Sequence, residues 1–296
     1  MKSILVSAVL LSNCLLCNAA SLQADEATAA QTLRQAGYNL KQTADGIEIG
    51  FGQPEWTPDA WQRLGEVAGL TTLRGTAHCA DNAGLETLSK LPRLKILYLN
   101  GATFDDTGFA TLAKIESLET LSLDHNQSIT GSGAAALKTL PNLRSLRFGG
   151  CMKFTGDGVR ASAELVQLQS LQLHHCGIGD SDLPPLTKMP NLKSLFVSSQ
   201  FNGRFTAEGL KPLAQISTLE SLKVAELVVT YDNGLDALVR LDGLKTLELQ
   251  KVGTSVADIE RLRAAMPEVE ITWTPASDEE VAQFHRRVAT AKMRSK

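Results

Sequence analysis

From Leu64 to Trp273 one phrase of sequence keeps returning. Its clearest copies have the form L-x-x-L-x-L-x-x-N/C. They read Leu118-x-x-Leu121-x-Leu123-x-x-Asn126, Leu143-x-x-Leu146-x-Phe148-x-x-Cys151 and Leu168-x-x-Leu171-x-Leu173-x-x-Cys176. Looser copies start at Leu70, Leu94, Leu192, Leu219 and Leu244, so successive starts lie 24, 24, 25, 25, 24, 27 and 25 residues apart. Copies in phase at that period leave few architectures. Each repeat is one small supersecondary unit that cannot bury its own apolar face, so neighbours must stack.

Each copy has two halves. In the first, alternation turns Leu121 and Leu123 inward and Thr120, Ser122 and Asp124 outward, the period of a strand. In the second, Thr130-x-x-Gly133, Thr155-x-x-Gly158 and Thr206-x-x-Gly209 lead into helical apolar pairs such as Leu137 with Leu140 and Leu210 with Leu213. The threonine hydroxyls are expected to accept the first amides of those helices. Gly84, Gly108, Gly133, Gly158, Gly209 and Gly234 hold equivalent positions, with Asp182 and Asp258 replacing them in two repeats. A small residue there is expected to let the helix pack close to the strands. The predicted fold class is α/β: a curved, right-handed superhelical solenoid with parallel strands on the concave face and helices on the convex face.

These residues resemble the leucine-rich-repeat family, in its long-repeat, helix-containing subtype. The T-x-x-G-L wording is most similar to exported bacterial members, particularly those of planctomycetes, and also to the cysteine-containing repeats of F-box substrate adaptors. The adaptor reading is disfavoured, because nothing before the repeats resembles an F-box and an export signal contradicts that role. The resemblance implies a solenoid that recognises a partner on its concave face.

The ends divide the chain further. Residues 1–20 read as a signal peptide: Lys2, an apolar run from Ile4 to Leu16, then small residues to a cleavage point after Ala19 or Ala20. That predicts export, to the periplasm or beyond the cell. Leu11-Ser12-Asn13-Cys14 is close to a lipobox, but Asn13 stands where a smaller residue is usual, so a lipid anchor on Cys14 is the minor reading. Residues 21–63 read as an N-terminal cap. It has a helix over Asp25–Ala36 stopped by Gly37, a degenerate strand over Ile47–Phe51, and a second helix opened by Thr57-Pro58 with Trp61 and Leu64 inward. Residues 64–273 hold about eight repeats plus a shortened closing strand near Met266–Ile271. Residues 274–296 read as a capping helix, with Val281, Phe284 and Val288 on one face and a basic end at Lys292, Arg294 and Lys296. No segment outside residues 1–20 approaches membrane-spanning length.

Charge and chemistry narrow the function. With 29 Lys+Arg against 32 Asp+Glu the formal charge is −3, which argues against a nucleic-acid surface. Cys79, Cys151 and Cys176, the cysteines after residue 20, are an odd, sparse set rather than a disulfide framework. Cys151 and Cys176 fall on adjacent rungs, within disulfide reach by Cα distance, though parallel ladder positions favour two buried thiols. His174, His175 and Cys176 with Asp124 and His125 are too spread along the array to converge on a metal. Hydrolase, zinc-protease and phosphate-loop motifs are absent. No enzyme activity and no cofactor are expected.

The outward strand positions are the candidate site. One column runs Arg74, Tyr98, Ser122, Arg147, Gln172, Phe196, Lys223, Glu248, and its neighbour carries Asn100, Asp124 and His174. Tyr, Arg and Phe are residue types that anchor protein interfaces. Arg74, Tyr98, Asn100, Asp124, Arg147, Gln172, His174, Phe196 and Lys223 are therefore the expected contacts of a monomeric, non-catalytic module for a protein or an envelope polymer. The alternative is a structural role in the cell envelope, as a scaffold or lipoprotein.

Overall fold

The structure is a computed structural model that describes residues 24–198, 200 and 202–294. The predicted signal peptide and Cys14 lie outside the described residues. Eleven strands form one sheet in chain order: β1 (Leu40–Gln42), β2 (Ile47–Ile49), β3 (Leu70–Thr76), β4 (Ile96–Asn100), β5 (Thr120–Asp124), β6 (Ser145–Gly149), β7 (Ser170–His174), β8 (Ser194–Ser198), β9 (Ser221–Ala225), β10 (Thr246–Val252) and β11 (Glu270–Pro275). All pair in parallel except β1, which is antiparallel to β2 and was not visible in the repeat pattern. The expected α/β solenoid is the observed fold. It follows from register: Leu97, Leu121, Leu146, Leu171, Leu195, Leu222 and Leu247 are direct partners on successive strands, and every one is buried. Each leucine thus lies between its equivalents on the neighbouring rungs.

The convex half departs from the expected regular helices. α-Helical turns occur at α1 (residues 24–35), α2 (Pro58–Leu64), α3 (Leu85–Leu88), α4 (Gly108–Leu112), α5 (Gly156–Ala163), α6 (Leu210–Leu213) and α7 (Val256–Ala265). Ser132–Thr139, Pro184–Lys188 and Leu235–Arg240 wind instead as 3₁₀ helix. The tighter winding suits a short return path, and the Pro184-Pro185 pair removes two amide donors an α-helix could have used. Inside, Phe104, Phe109, Phe148 and Phe154 form a spine with successive ring centroids 5.7, 6.2 and 4.5 Å apart.

Polar groups at the turns are satisfied from rung to rung. Asn126 Nδ2 donates to Phe104 O of the preceding repeat at 3.0 Å, while its Oδ1 accepts from Ser128 N and Ile129 N. Asn202 repeats the pattern with Ile178 O, Arg204 N and Phe205 N. Cys151 and Cys176, both free thiols, do half of this job, reaching Leu123 O at 3.4 Å and Phe148 O at 3.5 Å. Burial pushes the Cys151 thiol up to about 12 and Cys176 well above its ordinary range, so both stay protonated donors.

The threonines act differently from expectation. Thr130 N and Oγ1 both donate to Asp106 Oδ2 (3.0 and 2.7 Å), and Gly131 N and Gly133 N donate to Asp106 Oδ1 (2.9 and 3.2 Å). Asp180 holds Thr206 in the same way, through N and Oγ1 at 2.7 Å each. The acceptor of these first amides is therefore mainly the preceding repeat's aspartate. Thr155 makes no side-chain cap at all, and Thr206 adds a 3.3 Å bond from Glu208 N. Gly133 is small for the same reason: a Cβ there would collide with Asp106 O and the Phe109 ring, which belong to the preceding repeat rather than to the strand layer.

Both ends depart from the repeat pattern. Thr57 caps α2, accepting from Ala60 N at 3.2 Å, with Trp61 buried and its Nε1 donating to Gly84 O. Tyr38, Trp56 and Trp61 stack into the N-terminal cap. At the other end the closing strand falls slightly later than the Met266–Ile271 reading, at Glu270–Pro275. The helix α8 (Asp278–Arg294) then turns back along the loop edge of the sheet instead of covering β11. Glu280 meets Lys251 at 2.9 Å, Val281 packs by Gly253, Phe284 is buried, and Arg287 donates to Gln200 O at 2.7 Å, moving up the repeats as the helix proceeds.

Stacking and clamping predict two separable losses in urea denaturation. Leu171→Ala should cost roughly 2–5 kcal/mol as a buried large-to-small change, and it should split the transition because repeats couple mainly to neighbours. Asp106→Ala should cost about 1.5–3 kcal/mol through its charge-assisted bonds. Asp157→Ala, whose partner Arg160 is solvent-exposed, should change stability by less than about 1 kcal/mol. Equal effects for the two aspartates would remove the inter-repeat clamp.

Candidate partner-binding face

Alternate residues of β3 to β10 share the concave face, so each lies one strand spacing, about 4.8 Å, from its counterpart on the next rung. Asp124 on β5 is the hub. The Tyr98 hydroxyl donates to its Oδ2, and Arg147 holds both oxygens, Nε to Oδ1 at 3.0 Å and Nη2 to Oδ2 at 3.1 Å. The same guanidinium lies 5.6 Å from the Tyr98 ring centroid and reaches Gln172 Oε1 at 3.4 Å and His174 Nε2 at 3.2 Å. His174 stacks on Phe196, with centroids 5.3 Å apart and planes within 7°. From the next rung Lys223 Nζ sits 4.8 Å from the Phe196 centroid and 2.8 Å from Glu248 Oε1. Side chains from β4 to β10 thus form one connected ladder.

Gly149 makes the ladder possible. It occupies the rung between Asp124 and His174 in the same column, and a Cβ there would collide with Asp124 Oδ1 and the His174 ring. With no side chain at that rung, both groups close on Arg147 from either side.

The strand alternation turns these residues outward. The structure places all nine expected residues on β3 to β9 of this face, and it joins seven of them to one another: Tyr98, Asp124, Arg147, Gln172, His174, Phe196 and Lys223. Ser122 and Asp124 are corrections, since they are buried (2% and 6% exposed) on the face where they were expected to meet solvent. Asn100 pairs instead with His125 Nδ1 at 3.0 Å. The Arg74 side chain makes no hydrogen bond or ion pair among the described residues.

Two features had no repeat signal. At the strand ends His125, His175 and Glu226 adopt φ of 53°, 54° and 66°, where Gly101 and Gly150 stand in equivalent repeats. Holding a non-glycine residue there costs on the order of 1 kcal/mol. Glu226 compensates by accepting from Ser198 Oγ (2.6 Å), Gln200 N (2.8 Å) and His175 Nε2 (3.1 Å). The second feature is Phe51, 62% exposed and edge-on to Tyr98 at 5.2 Å. It was read as the end of a degenerate strand.

Electrostatics follow from these contacts. Burial, reinforced by the Arg147 charge, holds His174 down to about 4. Arg147 donates to Nε2, so the proton sits on Nδ1, which is buried and finds no partner among the described residues. Burial opposes ionisation of Glu226, but His175, Ser198 and Gln200 N outweigh it and hold that carboxyl down to about 2.

Comparison with known proteins agrees with the fold. A sequence family described as Leucine Rich repeat matches residues 114–138, one turn of the array. Among solved structures, an internalin (inlF) from Listeria monocytogenes str. 4b F2365 is similar over 79% of this chain, with a TM-score of 0.53 and 14% identity. The fold is a leucine-rich-repeat solenoid. The matched region spans 61% of that internalin's length. An internalin C2 (inlC2) from the same organism is similar over 69% of this chain and 80% of its own, with 23% identity and a TM-score of 0.44. No curated protein sequence matches this chain.

The ladder predicts a pH response with two limbs. His174 has a folded pKa near 4 against an ordinary 6.5, so between those values the unfolded chain takes up a proton that the folded one refuses. Its contribution is whole above pH 6.5 and is lost as pH falls toward 4. Glu226, at about 2 against 4.5, stabilises fully above pH 4.5 and loses its contribution only below it. Urea midpoints should therefore decline from pH 6.5 to 4.5, and His174→Gln should flatten that limb while leaving the one below pH 4.5. An unchanged upper limb in the variant would place the response elsewhere.

Proposed function

We propose that this chain is a non-catalytic binding module that holds a protein partner on the concave face of its solenoid. The observation that carries the reading is the ladder from Tyr98 to Glu248. Its side chains are fixed by one another before any partner arrives, so little rotamer freedom remains to be lost on binding. Tyr and Arg near the centre of such a surface are the residue types that dominate protein interfaces.

The ladder also favours a protein over a polysaccharide. Sugar recognition on a flat surface uses the faces of aromatic rings. Here Phe196 is covered by His174 and Lys223, and Tyr98 is flanked by Arg147 and Phe51. What the face offers is ring edges, a guanidinium rim and the Gln172 amide, which suit side chains and backbone amides of a partner. Nothing on this face favours a catalytic reading: among the described residues His174 holds its lone pair against Arg147, and the Cys151 and Cys176 thiols are buried and protonated. The export signal read in residues 1–20 supports a periplasmic or extracellular location for the module.

The test compares bait proteins. The mature chain is used to retain partners from its native envelope, beside Tyr98→Ala/Arg147→Ala/Phe196→Ala and a convex control, Lys114→Ala. A partner identified with the native bait should bind the triple variant at least about 100-fold more weakly, since each ten-fold is about 1.4 kcal/mol and anchors of this kind contribute about 2 kcal/mol or more. Circular dichroism checks that the variant is folded, and binding to the control should be unchanged. Undiminished binding by a folded triple variant would sink the concave-face reading.

A further inference from the structure

Within the two central columns of the concave face every carboxylate has a partner: Asp124 takes Tyr98 and Arg147, and Glu248 takes Lys223. Every cation there is matched too, except one. Arg74 on β3 is half-buried next to Tyr98, its register partner on β4, and its side chain makes no hydrogen bond or ion pair among the described residues. A guanidinium carries five donors and pairs a carboxylate through two of them at once. Leaving it partly desolvated and unmatched is unfavourable until an acceptor arrives.

The same corner has an apolar half. Residues 50–57, between β2 and α2, pass over it and present Phe51, largely exposed but braced edge-on by Tyr98. Gly52, with φ of 81°, supplies the left-handed backbone that the loop needs at that point. Between this loop and the end of β3 lies an open groove of about 420 Å³, lined by Phe51, Pro54, Glu55, Thr76 and His78.

Resting on the concave-face reading above, we propose that this corner is the anchor of the partner site and takes a peptide segment of defined chemistry. An Asp or Glu side chain of the partner pairs with Arg74, and an adjacent apolar side chain enters the groove against Phe51. A carboxylate fits better than a phosphate because Glu55 lines the groove and Glu48 stands on the neighbouring strand. Their charges penalise a dianion more than a monoanion.

The probe is a random peptide library displayed on phage and selected against the full chain. Selected peptides are then measured by fluorescence anisotropy on the native protein, Arg74→Glu and Phe51→Ala. Neither residue is in the core, and unchanged melting temperatures confirm that both variants fold. Selected peptides should pair an acidic with a neighbouring aromatic or aliphatic residue. Arg74→Glu should weaken them at least about 30-fold and Phe51→Ala about 10-fold, and replacing the peptide's acid by Lys should restore binding to Arg74→Glu. Peptides without that pair, affinity indifferent to Arg74→Glu, or phosphoserine outcompeting Glu would each overturn the assignment. Peptides that tolerate both variants but are lost with Tyr98→Ala/Arg147→Ala/Phe196→Ala would reject this anchor and leave concave binding standing. Peptides lost with none of them would reject both.

Discussion

The structure depends on each repeat satisfying the polar groups of its neighbour at one strand spacing. Several turns in this chain leave donors and acceptors that a neighbouring repeat satisfies. Asp106 completes the turn that begins at Thr130, Asp180 the one at Thr206, and Asn126 reaches back to Phe104 O. The buried leucine columns supply most of the apolar gain, but they are tolerant of register along the array because the residues are alike. The aspartate and asparagine bonds are directional. They fix which atoms of one repeat meet which atoms of the next, since a buried amide or carbonyl left unmatched costs more than a displaced methyl contact.

That spacing governs the concave face as well. A side chain on one strand touches mainly its counterparts on the strands before and after, so its role is set by residues about 25 positions away in sequence. Arg147 shows this plainly. Its partners Asp124, Gln172 and His174 lie 23, 25 and 27 residues distant, and the gap at Gly149 lets Asp124 and His174 close on it. The same side chain opposite a Cβ-bearing residue at that rung would project toward solvent.

At the ends the repeat rule stops, and aromatic packing and a helix take over. Tyr38, Trp56 and Trp61 close the first rungs, and the loop that joins them carries Phe51 onto the concave face. At the other end α8 lies along the loop edge, pinned by Phe284 and by Lys251 with Glu280. Each terminal segment thus covers part of the array and alters a surface that the repeats alone would leave uniform.

The sequence determined the solenoid, its strand faces, the Thr57 cap of α2 and the apolar face of α8, because each rests on local periodicity or a cap spanning a few residues. Those signals survive in one dimension: Leu121 and Leu123 face inward whatever lies on the next rung. Only the tertiary structure decided that Asp124 is buried, that Arg147 is tied to it, that Asp106 holds Thr130, and that the Arg74 cation has no carboxylate partner among the described residues. Each of these is a contact between rungs. A period of about 25 residues names the neighbour but leaves open which side chain leans toward it, and that choice belongs to the three-dimensional fit of volumes, such as the missing Cβ of Gly149.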